Sequence, residues 1–111
     1  MPPGPKVAAV IEFIEAHLEQ DLMVPDLARY ADTSVRWLQK AFREEVGVSP
    51  AYFLRMVRLR RIREDLLAAN PSTGATVQSI ARRRGIRHLG RFASFYWQHY
   101  HEYPSETLYG R

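Results

Sequence analysis

Apolar residues recur every three or four positions along most of the chain, and the pattern stops and restarts at turn-forming residues. Val7, Val10, Ile11, Ile14 and Leu18 give an amphipathic first helix whose other face carries Glu12, Glu15 and Glu19. A short helix over "VPDLARYA" follows, with Pro25 in its first turn, where a missing N–H costs least. Asp32-Thr33-Ser34 then forms a turn that supplies cap oxygens to a helix over 35–46. In that helix Val35, Leu38, Ala41, Phe42 and Val46 share one side, and Arg36, Gln39, Lys40 and Arg43 share the opposite side. Gly47 suits a left-handed cap at its end.

Ser49 is expected to cap a longer helix over 50–69, with Pro50 at its first position, Met56, Leu59, Ile62 and Leu66 buried, and Arg55, Arg58, Arg60, Arg61 and Arg63 around that stripe. The breaker-rich "NPSTGA" at 70–75 closes the first half. Thr76 caps a new short helix, and the pattern then repeats. Leu27-Ala28 matches Ile80-Ala81 at a separation of 53, whereas Leu38, Phe42, Val46 and Pro50 match Phe92, Tyr96, Tyr100 and Pro104 at 54. One extra residue in the second turn accounts for the change. The expected architecture is all-α, with two helix-turn-helix subdomains joined by a long central helix. The segments are a flexible leader or linker remnant (1–6), a first subdomain (7–48), the connecting helix (49–70), a loop (71–75) and a second subdomain (76–111).

Charge sharpens this picture. Residues 1–33 carry two basic and six acidic side chains, and residues 34–111 carry fourteen basic and six acidic ones, so the halves stand at −4 and +8. Most of the cations are Arg, whose planar fork of donors suits phosphates and guanine edges. The chain has no cysteine, so it holds neither disulfides nor a thiolate site. Its longest apolar run is too short to span a bilayer. His99 and His101 are two apart, on different sides of a helix, which argues against a metal site, and His17 is expected to be solvated. No phosphate loop, Ser/His/Asp arrangement or carboxylate pair is present, so neither an enzyme nor a cofactor is expected.

A short helix, a tight turn and a second helix with a polar outward face make a helix-turn-helix, whose second helix fits the major groove of DNA. The stretches "LARYADTSVRWLQKAFREEVGVSPAYF" and "IARRRGIRHLGRFASFYWQHYHEYPSETL" carry this pattern twice. Over residues 7–109 the chain resembles the DNA-binding domain of AraC/XylS-type transcription regulators. The resemblance implies a domain of seven helices whose recognition helices at 35–46 and 88–100 enter successive major grooves of double-stranded DNA. It also implies a bacterial, cytoplasmic, nucleoid-associated regulator. The expected partners are DNA and RNA polymerase. The chain is expected to be a monomeric fragment, with oligomerisation through a separate domain. His101 stands where a helix-ending Gly is usual in that family, Tyr103 where a small cap is usual, and Tyr96-Trp97 where an aromatic-basic pair is common. The alternative is a helical adaptor that contacts the transcription machinery without reading DNA.

The residues expected to read base edges are Arg36, Gln39 and Lys40 in the first unit and Arg87, His88, Arg91 and Ser94 in the second. Ser34, Arg43, Ser49, Arg55 and Ser105 are expected at phosphates, the serines at or near helix starts. For each the competing reading is a merely solvated or capping side chain. Trp37 is expected to roof the core, the alternative being to stack on the sugar-phosphate wall. Gly90 either lets the backbone approach the groove floor or allows tight helix packing; His88 either donates to DNA or caps its helix.

Overall fold

The computed structural model describes residues 1–110. Among these residues seven α-helices follow in order: α1 (Pro5–Ala16), α2 (Val24–Tyr30), α3 (Val35–Glu45), α4 (Pro50–Ala68), α5 (Val77–Arg83), α6 (Leu89–Tyr100) and α7 (Pro104–Tyr109), with a 3-10 turn at Pro71–Thr73. No strand occurs among the described residues. The all-α class agrees with the sequence pattern, and the seven helices agree with the family resemblance. The chain divides into two compact units, Met1–Val57 and the remainder from Arg58, with the boundary inside α4. The expected separate connecting segment at 49–70 is therefore split, each half of the helix serving the core of its own unit.

In the first unit α1, α2 and α3 pack on one another. Their core is Val7, Val10, Ile14, Leu18, Leu22, Leu27, Ala28, Leu38, Ala41 and Phe42, completed by Leu54 and Val57 from α4. Each fully buried aliphatic or Phe side chain there contributes about 1.5–3 kcal/mol. α1 starts at Pro5 rather than at Val7, so residues 5–6 of the expected leader are helical. The Gly4 N–H donates to Glu45 Oε1 at 2.6 Å, which ties the start of α1 to the end of α3. His17 is half-buried rather than solvated, because its ring stacks on Phe13 with centroids 4.3 Å apart.

The second unit is built from Leu59, Ile62 and Leu66 of α4, Ile80 and Ala81 of α5, Phe92, Phe95 and Tyr96 of α6, and Leu108 of α7. Two expectations for α4 are corrected. Met56 is only half-buried, and Arg58, expected on the cationic periphery, is buried. Arg84 is also absorbed into the unit, through a forked pair of bonds from Nε and an Nη to the Asp65 carboxylate at 2.7 and 3.1 Å.

The repeat extends to backbone detail. Asp32 and Gly85, 53 apart, both take left-handed conformations, with φ of +54° and +83°. The following N–H groups, of Thr33 and Ile86, donate to the carbonyls of Ala28 and Ala81 at 2.9 and 3.2 Å. The turn between the paired helices is 31–34 in the first copy and 84–88 in the second, so the extra residue lies after Ile86. At the far ends Gly47 and His101 are left-handed, with φ of +94° and +56°. His101 thus adopts the conformation that glycine takes in the first copy, which costs an L-residue about 1 kcal/mol.

The matched pairs differ. Phe42 meets Phe53 edge to face, with centroids 5.6 Å apart. At the equivalent positions Tyr96 and Thr107 share a hydroxyl–hydroxyl hydrogen bond of 2.6 Å. The Thr107 hydroxyl also donates to Glu102. Arg63 donates to the Tyr96 oxygen at 3.2 Å, lies 3.7 Å from Glu102 and stacks its guanidinium 4.2 Å from the centre of the Tyr100 ring. Tyr100, the repeat's match to Val46 on the apolar side of the first copy, is half-buried beneath that guanidinium.

Candidate nucleic-acid interface

The first candidate surface is the outer side of α3. Ser34 Oγ accepts the Trp37 N–H at 3.0 Å and so satisfies one of the otherwise open donors at the helix start. Leu38 and Phe42 are fully buried, which fixes the rotation of the helix. That rotation leaves Arg36, Gln39, Lys40 and Arg43 exposed together. Lys40 lies 3.9 Å from Glu44, with both side chains mostly exposed. Such a pair is worth about 0.3–0.5 kcal/mol, too little to withhold the ammonium from a stronger anion. The outer side therefore offers forked and single cationic donors beside an amide, the set that matches guanine and adenine edges.

Trp37 does not roof the core. It is 43% exposed, with the Lys6 ammonium 5.6 Å from the centre of its ring. Ser49 Oγ accepts the Tyr52 N–H at 3.2 Å and caps α4, which begins at Pro50 as expected. Arg55 is exposed one turn further along.

In the second unit Arg87, His88, Arg91 and Ser94 are all exposed, together with Gly90 and Gln98. His88 stands at the cap position of α6, yet its side chain makes no capping hydrogen bond. A Cβ placed on Gly90 would meet no atom within 4 Å, so tight packing is not why glycine stands there. Ser105 is exposed in the first turn of α7, but the cap bond is made by Glu106, whose Oε1 accepts the Tyr103 N–H at 3.1 Å.

Sequence reasoning missed two features. One is the Arg63 cluster, whose members are spread over α4, α6 and the segments that follow. The other is the exposed Trp97, 44% accessible, with His101 at 5.7 Å in edge-on contact and Tyr103 at 6.4 Å between ring centres. The internal repeat held a signal for the second, since Trp97 and Tyr103 align with Arg43 and Ser49. His99 Nδ1 lies 3.1 Å from the Phe95 carbonyl oxygen, and no cluster of metal-ligating side chains occurs among the described residues. No helix is long and apolar enough to cross a membrane.

A family model described as "Helix-turn-helix domain" matches residues 27–109. The chain is 40% identical over 102 residues to the "Probable thc operon regulatory protein" of Rhodococcus erythropolis, an alignment covering 92% of this chain and 30% of that protein. It spans about a third of the length of several of the curated relatives it matches. Among solved structures it is similar to "a probable AraC family transcriptional regulator from Rhodopseudomonas palustris CGA009", at a TM-score of 0.81 and 34% identity over 95% of each chain. Its fold is also that of the DNA-binding domain of AdpA in complex with a target DNA, at a TM-score of 0.86 and 21% identity, covering 96% of this chain and 93% of that one.

Proposed function

Because the chain belongs to the AraC-type helix-turn-helix DNA-binding domains, we propose that it regulates transcription by binding double-stranded DNA sequence-specifically, with α3 and α6 in successive major grooves. One observation carries the reading: the buried Leu38 and Phe42 turn Arg36, Gln39, Lys40 and Arg43 outward as one set of donors. Arg36 and Lys40 suit guanine O6 and N7, and Gln39 suits adenine. In the second unit Arg91 reads a base, Ser94 a base or phosphate, and Arg87 and His88 the adjoining edge. Ser34, Arg43, Ser49, Arg55 and Ser105 hold phosphates, and the capping serines present helix N-termini to them. The open space around Gly90 supports close approach of the α6 backbone to the groove floor.

The domain acts by binding, without catalysis. Within this reading activation comes from contact with RNA polymerase at the promoter, oligomerisation from a separate domain, and the working location is the bacterial nucleoid.

Selection of duplexes from a random pool, followed by gel shifts at two salt concentrations, tests the proposal. For about 6–10 phosphate contacts, affinity falls by roughly 10³–10⁵ between about 50 and 200 mM salt. Arg36→Ala costs about 1–3 kcal/mol and relaxes preference at one base position. Equal affinity for selected and random duplexes refutes sequence reading. Salt-insensitive capture of a protein partner with no DNA shift identifies an adaptor instead.

A further inference from the structure

The two recognition helices are built on one plan but do not carry the same chemistry. Along α3, Arg36, Lys40 and Arg43 follow one another at intervals of four and three residues and form one exposed column. Their equivalents on α6, 54 residues on, are Gly90, Ser94 and Trp97, which are also exposed and hold no cation. The column ends at Gly47 in the first copy and at His101 in the second, and Ser49 is matched by Tyr103. Where the first unit presents a basic residue, a bare glycine and a serine, the second presents three rings: Trp97, His101 and Tyr103. The exchange also runs the other way, because the exposed Trp37 of α3 is matched by Arg91 on α6.

We infer that Trp97, backed by His101 and Tyr103, is a DNA-contact surface that packs against the deoxyribose-phosphate wall of the groove holding α6, in place of the ionic phosphate clamp that Arg43 supplies in the first unit. The inference rests on the DNA-binding reading and deepens it. The patch is continuous with the candidate reading face, since Gly90, Ser94 and Trp97 succeed one another along the same strip of α6 and His101 follows at its end. His101 stands edge-on to Trp97, and its left-handed backbone turns the chain so that Tyr103 follows on the same side. The indole is thereby held in place before binding, which lowers the entropy lost on contact. The acids that adjoin the patch are both engaged, Glu102 by Arg63 and Thr107 and Glu106 by the Tyr103 N–H. A ring face packed on sugars excludes water without displacing counterions, so its contribution is insensitive to salt.

The whole chain, bound to a duplex selected from a random pool, tests this by its salt slope. Trp97→Ala is expected to weaken binding at least about five-fold at both about 50 and about 200 mM salt, leaving the slope of log K against log salt unchanged. Arg43→Ala is expected to reduce that slope by about 0.9, and Trp97→Arg to increase it by about 0.9. Trp97 is exposed, so folding should survive both changes, which far-UV circular dichroism checks. In a Trp37→Phe chain the remaining indole should report directly, its emission shifting or quenching when duplex is added. An unchanged affinity in Trp97→Ala, a reduced slope in that variant, or an indole silent to saturating duplex each overturns the inference while DNA binding itself stands. Failure of the unaltered chain to bind any duplex instead removes the reading beneath it.

Discussion

Arg63→Met isolates what the polar cluster of the second unit is worth. Three of the arginine's contacts matter most: a hydrogen bond to the Tyr96 oxygen, a stack on Tyr100 and an ion pair with Glu102. A hydrogen bond from a charged donor contributes about 1.5 kcal/mol. A partly exposed cation–π stack adds about 0.5–1 kcal/mol. The ion pair joins side chains that are 29% and 33% exposed, so solvent screens it to under about 1 kcal/mol. Methionine keeps the aliphatic length that packs beneath the guanidinium, and the three contacts share one group, so their worths do not add fully. The expected loss is about 2–3 kcal/mol. Urea unfolding should show it as a lower midpoint at unchanged m-value, and thermal unfolding as a fall of roughly 10 °C. Arg63→Lys, which keeps the charge but not the planar fork, should fall between the two chains. A loss below about 0.5 kcal/mol would refute the account. So would full stability combined with a DNA-binding salt slope reduced by about 0.9, which would make Arg63 a phosphate contact.

Gly90→Ala should move stability and affinity in opposite directions. The new methyl meets open space and replaces a glycine in the first turn of α6, so stability rises by less than the roughly 1 kcal/mol of an interior site, while duplex binding weakens where backbone and groove floor meet. Equal or tighter binding refutes the close approach. Burial pushes the Tyr96 phenol above its usual value near 10, against the lowering pull of Thr107 and Arg63. A raised folded-state value gives stability that is complete below about pH 10 and is lost as pH climbs towards the folded value. Tyr96→Phe should therefore be less stable at neutral pH but lose less on going above about pH 10, as read by urea midpoints across that range. Parallel pH curves for the two chains would remove burial as the cause.

The short helices, their caps and the doubled plan were legible because they rest on local rules. Ser34 and Thr76 cap where a hydroxyl precedes an apolar period, and Gly47 ends α3 where a left-handed residue is needed. The exposed sides of α3 and α6 followed from the spacing of Leu38, Phe42, Phe92 and Tyr96. The central helix was less legible. Its buried residues do not follow one stripe, because Leu54 and Val57 belong to one core and Leu59, Ile62 and Leu66 to another. A single helical period therefore misplaced Met56 and Arg58. Trp37 was misjudged because bulk suggests burial, whereas the buried Leu38 beside it already fixes the helix rotation. Arg63 was expected around the buried stripe of the central helix, and Arg84 stands in the basic run 82–84. Their partners lie 33 and 19 residues away, at separations no local pattern reports.

A chain that contains two near-copies of one plan risks assembling with pieces of each exchanged. The matched pairs Phe42–Phe53 and Tyr96–Thr107 work against that error. Seating Tyr96 against Phe53 would strand a phenol among hydrocarbon, at a cost of about 1–3 kcal/mol. Setting Phe42 against Thr107 would likewise leave that threonine without its tyrosine partner. Oil on one side and hydroxyls on the other give each copy a label its sibling cannot satisfy, so correct sorting is written into the interior of the two units.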